Sequence, residues 1–163
     1  MSRAAVGPKT EVYFVDFFMF EMYNINVDKN RVEMLPPASL AFIGDAVYTL
    51  YVRRRVVSDS DGISGTLHTE CTKYVNAKAQ SAVFDALVTG GKLTQSESEI
   101  ARRAKNAHLH SRAKTATSVD YHKATALEAV IGYLDLSGEA DRLEQILELC
   151  AAAAGLPEGG ERE

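Results

Sequence analysis

Between Pro36 and Val52 the chain reads PPASLAFIGDAVYTLYV, a stretch with one charged residue, Asp45. Two prolines open it, and proline suits the first turn of a helix because its missing N–H would be unpaired there anyway. After them Leu40, Ile43, Val47, Leu50 and Tyr51 recur at three- and four-residue spacing, which predicts one apolar helix face. Ala38, Ala41, Tyr48 and Val52 fall on the opposite face, near Asp45. A helix apolar on nearly all sides is a buried one. A carboxylate inside it must be paired, neutralised or bound to a cation. Gly44 adds a constraint: a mid-helix glycine costs roughly 1 kcal/mol relative to alanine and marks a place where another backbone comes close.

A second stretch repeats the pattern. Ala124 to Leu134, ATALEAVIGYL, has one charge, Glu128, with Gly132 one turn further along. Leu127, Val130, Ile131 and Leu134 give it helical periodicity. Two buried helices, each with one carboxylate and a nearby glycine, are parts from which a hard-cation site can be built, since Mg²⁺ takes one or two carboxylates and keeps several waters. The residues alone leave the alternative open that each acid is hydrogen-bonded structurally.

Charge is segregated. Arg102, Arg103, Lys105, Arg112, Lys114 and Lys123 face one acid, Asp120, so the segment is +5 while the whole chain is −4, leaving −9 elsewhere. His108, His110 and His122 lie inside the same segment. Cations gathered this way in an acidic protein suit a polyanion, or else form a solvated helix face and loop. The two cysteines, Cys71 and Cys150, have neither metal spacing nor a disulfide framework, as expected in a reducing compartment. No uncharged apolar run approaches the roughly 18 residues a membrane span needs, so no membrane role is expected.

At 163 residues one domain is expected. Residues 1–35 read as an N-terminal extension, 36–154 as the folded body and 155–163 as a solvated tail. The extension holds Tyr13, Phe14, Phe17, Phe18, Phe20 and Tyr23 between Thr10 and Asn26, rings that need a surface to cover. Thr66 to Thr89 reads as one long helix stopped by Gly90-Gly91, with His68, Lys73 and Lys78 on its polar sides. Thr94-Gln-Ser-Glu97 is a capping box opening a helix to about Asn106. A basic loop over 107–118, the Glu128 helix and a final helix from Glu139 to Ala154 complete an all-α fold.

At Phe42-Ile43-Gly44-Asp45-Ala46-Val47-Tyr48, with Tyr51-Val52-Arg53, the chain resembles the signature helix of the ribonuclease III catalytic domain. The form it is most similar to is the compact Mini-III type, a nuclease domain without a double-stranded-RNA-binding domain. Ala126 to Leu134 is similar to the family's other catalytic helix. Leu67-His68, Ala77-Lys78-Ala79-Gln80 and Arg102 to Ala107 resemble further Mini-III segments in the right order. Larger family members carry additional acids where this chain has Ala38, Ala41 and Thr125, a reduction that Mini-III proteins largely share.

The resemblance implies a ribonuclease III-type helical domain, homodimeric, with signature helices packed across a two-fold axis and two active sites along one RNA valley. Asp45 and Glu128 would then be catalytic and hold Mg²⁺, with Mn²⁺ as a substitute. His68, Lys73, Lys78, Arg102, Arg103, Lys105, Asn106, His108, His110, Arg112 and Lys114 would lie along RNA. The implied substrate is double-stranded or structured precursor RNA, ribosomal RNA especially, cut to 5′-phosphate and 3′-hydroxyl ends in the cytoplasm or an organelle such as a plastid. Two alternatives stay open: a non-catalytic helical RNA-binding dimer, and a structural domain whose two acids are satisfied in the core.

Overall fold

The helix that carries Glu128 is enclosed by the rest of the chain: Ala124 to Leu127 and Ala129 to Leu134 are all buried. The computed structural model describes residues 27–60, 64–107 and 117–158, and every regular element among them is a helix. In chain order these are α1 (Lys29–Met34), α2 (Pro37–Asp59), α3 (Ser64–Val75), α4 (Ala77–Thr89), α5 (Gln95–Lys105), α6 (Ser118–Leu136) and α7 (Ala140–Ala154). Helix α6 is the axis, with α2, α4 and α5 packed around it and α7 closing on α4 and α6. The aromatic run at 10–26 and most of the basic loop lie outside the described residues.

Helix α2 begins at Pro36-Pro37 as expected, but a different face points inward. Leu40, Ala41, Gly44, Tyr48, Val52 and Val56 are buried, whereas Ile43 and Val47 are half-buried and Leu50 is 51% exposed. A helix apolar all round gives periodicity no phase, and here the phase is set by contact with α6. Gly44 and Gly132 meet at the crossing. A Cβ on Gly44 would stand 1.7 Å from the carbonyl oxygen of Glu128, and one on Gly132 would stand 2.0 Å from that of Leu40. The close approach expected at Gly44 is therefore made within one chain, by the backbone of the other acidic helix.

The long helix expected over Thr66 to Thr89 is two helices. Asn76 divides them: its Oδ1 accepts from Ala79 N at 3.0 Å, while its Nδ2 donates to the carbonyls of Thr72 (2.9 Å) and Lys73 (3.0 Å). One side chain thus closes α3 and opens α4, using groups that helix ends leave unpaired.

The capping box on α5 is present, with Thr94 N donating to Glu97 Oε2 at 2.8 Å and Glu97 N to Thr94 Oγ1 at 3.3 Å. Glu97 is 2% exposed, and Arg142 of α7 donates to both its oxygens at 2.8 and 2.9 Å. Burial pushes this carboxyl up, but the hydrogen bonds from Arg142 and Thr94 outweigh burial and hold it below the usual carboxylate range. At the N-terminal side Val32 of α1 is fully buried in the same core. At the other end Leu156 is buried, and Arg55 donates to the Pro157 carbonyl at 3.2 Å.

Candidate active site

The α2–α6 crossing positions both acids. Asp45 follows Gly44 directly, and Glu128 stands one turn before Gly132, its own carbonyl facing Gly44. Both side chains open into one cleft of about 400 Å³, which Ala38, Ala41, Gln80 and Thr125 also line. Ala38, Ala41 and Thr125 thus stand around the two acids, and their small side chains leave room there.

The two carboxyls differ in environment. Asp45 is exposed, contrary to the expectation of a buried charge, and accepts a long hydrogen bond from the Thr49 hydroxyl at 3.4 Å. Glu128 is half-buried, and burial followed by the charge of Asp45 pushes its carboxyl up to about 8, with the Gln80 amide offsetting part of this. A second negative charge is therefore costly in this cleft unless a cation joins it. Two hard oxygen donors beside small residues fit a divalent ion of the Mg²⁺ class. Among the described residues no group of three or more His, Cys, Asp or Glu is placed to share a metal, so the fit rests on two acids and on neutral oxygens.

Gln80 was not singled out as a site residue by the sequence. It is 1% exposed, reaches the cleft from α4, and its Nε2 has no hydrogen-bond partner among the described residues. Its signal was a long polar side chain, next to Ser81, on the face that also carries Val83, Phe84 and Leu87.

The basic residues are placed less uniformly. None of those described lines the cleft. Lys78 is exposed on the first turn of α4, beside the cleft-lining Ala77. His68 is exposed on α3, and Lys73 pairs with Glu70. On α5, Arg102 makes a two-pronged contact with Glu99 at 2.9 and 2.7 Å, while Lys105 and Asn106 are exposed. Arg103 is committed to the fold, donating to the carbonyls of Glu33 (2.5 Å) and Leu35 (2.9 Å) at the end of α1. His108, His110, Arg112 and Lys114 lie outside the described residues.

On the solvent side of α2, Phe42, Ala46, Leu50 and Val57 follow one helical stripe in which the exposed Arg53 stands between Leu50 and Val57, with Phe42 78% and Val57 54% exposed. Among the described residues no helix is long and apolar enough to cross a membrane.

A sequence model of the Ribonuclease III domain matches residues 38–139. The chain is 40% identical over 119 residues to Mini-ribonuclease 3 of Streptococcus pneumoniae, covering 73% of this chain and 93% of that protein. It is 42% identical over 125 residues to Mini-ribonuclease 3 of a Thermoanaerobacter species, covering 74% and 84% respectively. A crystal structure of a protein from Fusobacterium nucleatum is similar in fold, with a TM-score of 0.64 and 29% identity over 73% of this chain and 93% of that one.

Proposed function

The chain belongs to the ribonuclease III family, in its Mini-III branch, which makes it a ribonuclease III-type endoribonuclease, and we propose that it cuts double-stranded regions of structured precursor RNA with a divalent cation held by Asp45 and Glu128. The observation that carries this reading is that two acids from separate helices open into one cleft, where burial first and then the charge of Asp45 raise the Glu128 carboxyl. When bound, the ion supplies a coordinated water of lowered pKa and neutralises charge developing on the phosphate. Glu128, fixed by the glycine crossing, gives the site its rigid wall. Asp45 is exposed, so its carboxylate would hold the ion on the solvent-facing side of the site. Cleavage leaves 5′-phosphate and 3′-hydroxyl ends, the substrate being precursor ribosomal RNA in the cytoplasm.

The stripe Phe42–Ala46–Leu50–Val57 supports a homodimer formed through the outward face of α2, because a chain that exposes such a row of apolar side chains gains by covering it. RNA binding falls to exposed Lys78, Lys105 and His68 together with Arg112 and Lys114, acting on phosphates and shape rather than on base edges. Mg²⁺ is the expected ion, with Mn²⁺ as a substitute. The experiment is to incubate the protein with a long RNA duplex and Mg²⁺ or chelator, and to map the ends produced. Cutting with Mg²⁺ that vanishes in chelator and in Asp45→Asn supports the proposal. Binding without cutting would favour the non-catalytic RNA-binding dimer, the reading that the small number of acids suggests.

A further inference from the structure

Buried amides in folded proteins find partners, and one left without any needs an explanation, often an ion or water that completes it. Gln80 is such a group. It is 1% exposed, its Nε2 makes no hydrogen bond of good geometry among the described residues although the amide stands close enough to Glu128 to draw that carboxyl down, and it lines the cleft that Asp45 and Glu128 share. Of its neighbours there, Ala38 and Ala41 carry no polar side-chain atom and the Thr125 hydroxyl donates to the Tyr121 carbonyl at 2.9 Å, whereas the Gln80 amide offers both an oxygen and an N–H. Leucine or methionine at this point of α4 would continue the apolar stripe of Val83, Phe84 and Leu87 without leaving a polar atom unpaired. An amide can also serve two partners at once, its Oε1 accepting a cation or a cation-bound water while its Nε2 donates to a carboxylate.

We infer that Gln80 is the third protein group of the cation site, a neutral oxygen donor standing beside Asp45 and Glu128 and orienting the Glu128 carboxylate through its amide N–H. The inference rests on the proposed cation site but adds a residue to it. It also explains how a cleft with two acids can hold an ion without a third carboxylate.

The test is binding of Mn²⁺ alone to the full chain, followed by electron paramagnetic resonance without RNA, alongside thermal melts in chelator. Gln80→Leu should weaken Mn²⁺ binding by about tenfold or more, as losing groups that orient a metal's ligands does. Its melting temperature should stay level or rise, because an unpaired buried amide has been removed. Gln80→Glu should bind Mn²⁺ more tightly than the native chain, and this variant decides the question if Gln80→Leu does not fold. Native-like Mn²⁺ affinity in Gln80→Leu, or no gain in Gln80→Glu, would overturn the assignment. The two readings fail differently. If the native chain and Asp45→Asn bind Mn²⁺ equally weakly, the cation site itself is wrong. If Asp45→Asn loses binding that Gln80→Leu keeps, only the role of Gln80 is wrong.

Discussion

Replacing Gly44 by alanine perturbs the point on which the site geometry depends. The added methyl carbon would stand 1.7 Å from the Glu128 carbonyl oxygen, 2.6 Å from its carbonyl carbon and 2.9 Å from Gly132 N. It must retreat by at least about 1.3 Å to reach even a tight contact. All three neighbours are backbone atoms of α6, which is itself enclosed by α4 and α5, so no side chain can swing aside. Overpacking costs about 1–3 kcal/mol where neighbours can adjust and more where they cannot. Alanine's better helix propensity returns about 1 kcal/mol. A net loss of about 3 kcal/mol follows, a fall in melting temperature of roughly 12 °C for a domain of this size. The assay is far-UV circular dichroism in chelator. Gly132→Ala should behave alike, and the double variant should lose less than the two losses combined, because one substitution already opens the crossing. Gly65→Ala, with no atom within 4 Å of the new methyl, is the control and should be neutral or slightly stabilising. A Gly44→Ala chain melting within about 2 °C of the native one would refute the close crossing.

Other perturbations test other parts of the structure. Glu97 has a depressed carboxyl, so its contribution is complete above the unfolded value near 4.3 and is lost as pH falls through its lower folded value; denaturant titrations should show native stability dropping below about pH 4.5 more steeply than that of Glu97→Gln, itself weaker by about 2–3 kcal/mol at pH 7. Glu128 has the opposite sign: its raised folded value means that stability in chelator falls as pH climbs from about 4.5 to about 8, by up to about 5 kcal/mol, while Glu128→Gln stays flat over that range. If the proposed homodimer forms through α2, the native chain should sediment as a dimer and Leu50→Glu as a monomer, and a native monomer or an unchanged Leu50→Glu dimer would refute that interface. Arg112→Gln with Lys114→Gln should weaken duplex binding and lower the slope of log affinity against log salt by about 2, and an unchanged slope would remove that loop from the RNA path.

Features specified by a few neighbouring residues were legible in the sequence. The Thr94–Glu97 box, the prolines opening α2 and the stop after Thr89 are local chemistry, and the structure shows them where the residues put them. Gly44 also announced a close backbone, although only the fold could say that the backbone was α6. What stayed hidden depended on distant partners. Asn76 breaks a stripe that remains in phase across it, so periodicity reads through the break. Arg103 looked like part of a basic surface because carbonyls at Glu33 and Leu35 are invisible to a charge count. The inward face of α2 had no phase because every face is apolar. In the site, the two acids were legible through their resemblance to a known pair of helices, whereas Gln80 was hidden because a lone glutamine means little until its burial is known.

Whether one carboxyl from α2 and one from α6 together grip a divalent ion is read by calorimetric titration of Mg²⁺ into the native chain, Asp45→Asn and Glu128→Gln. The native protein should show one saturable site that disappears in each variant while both variants remain folded. Equal Mg²⁺ affinity in all three chains would contradict that shared site.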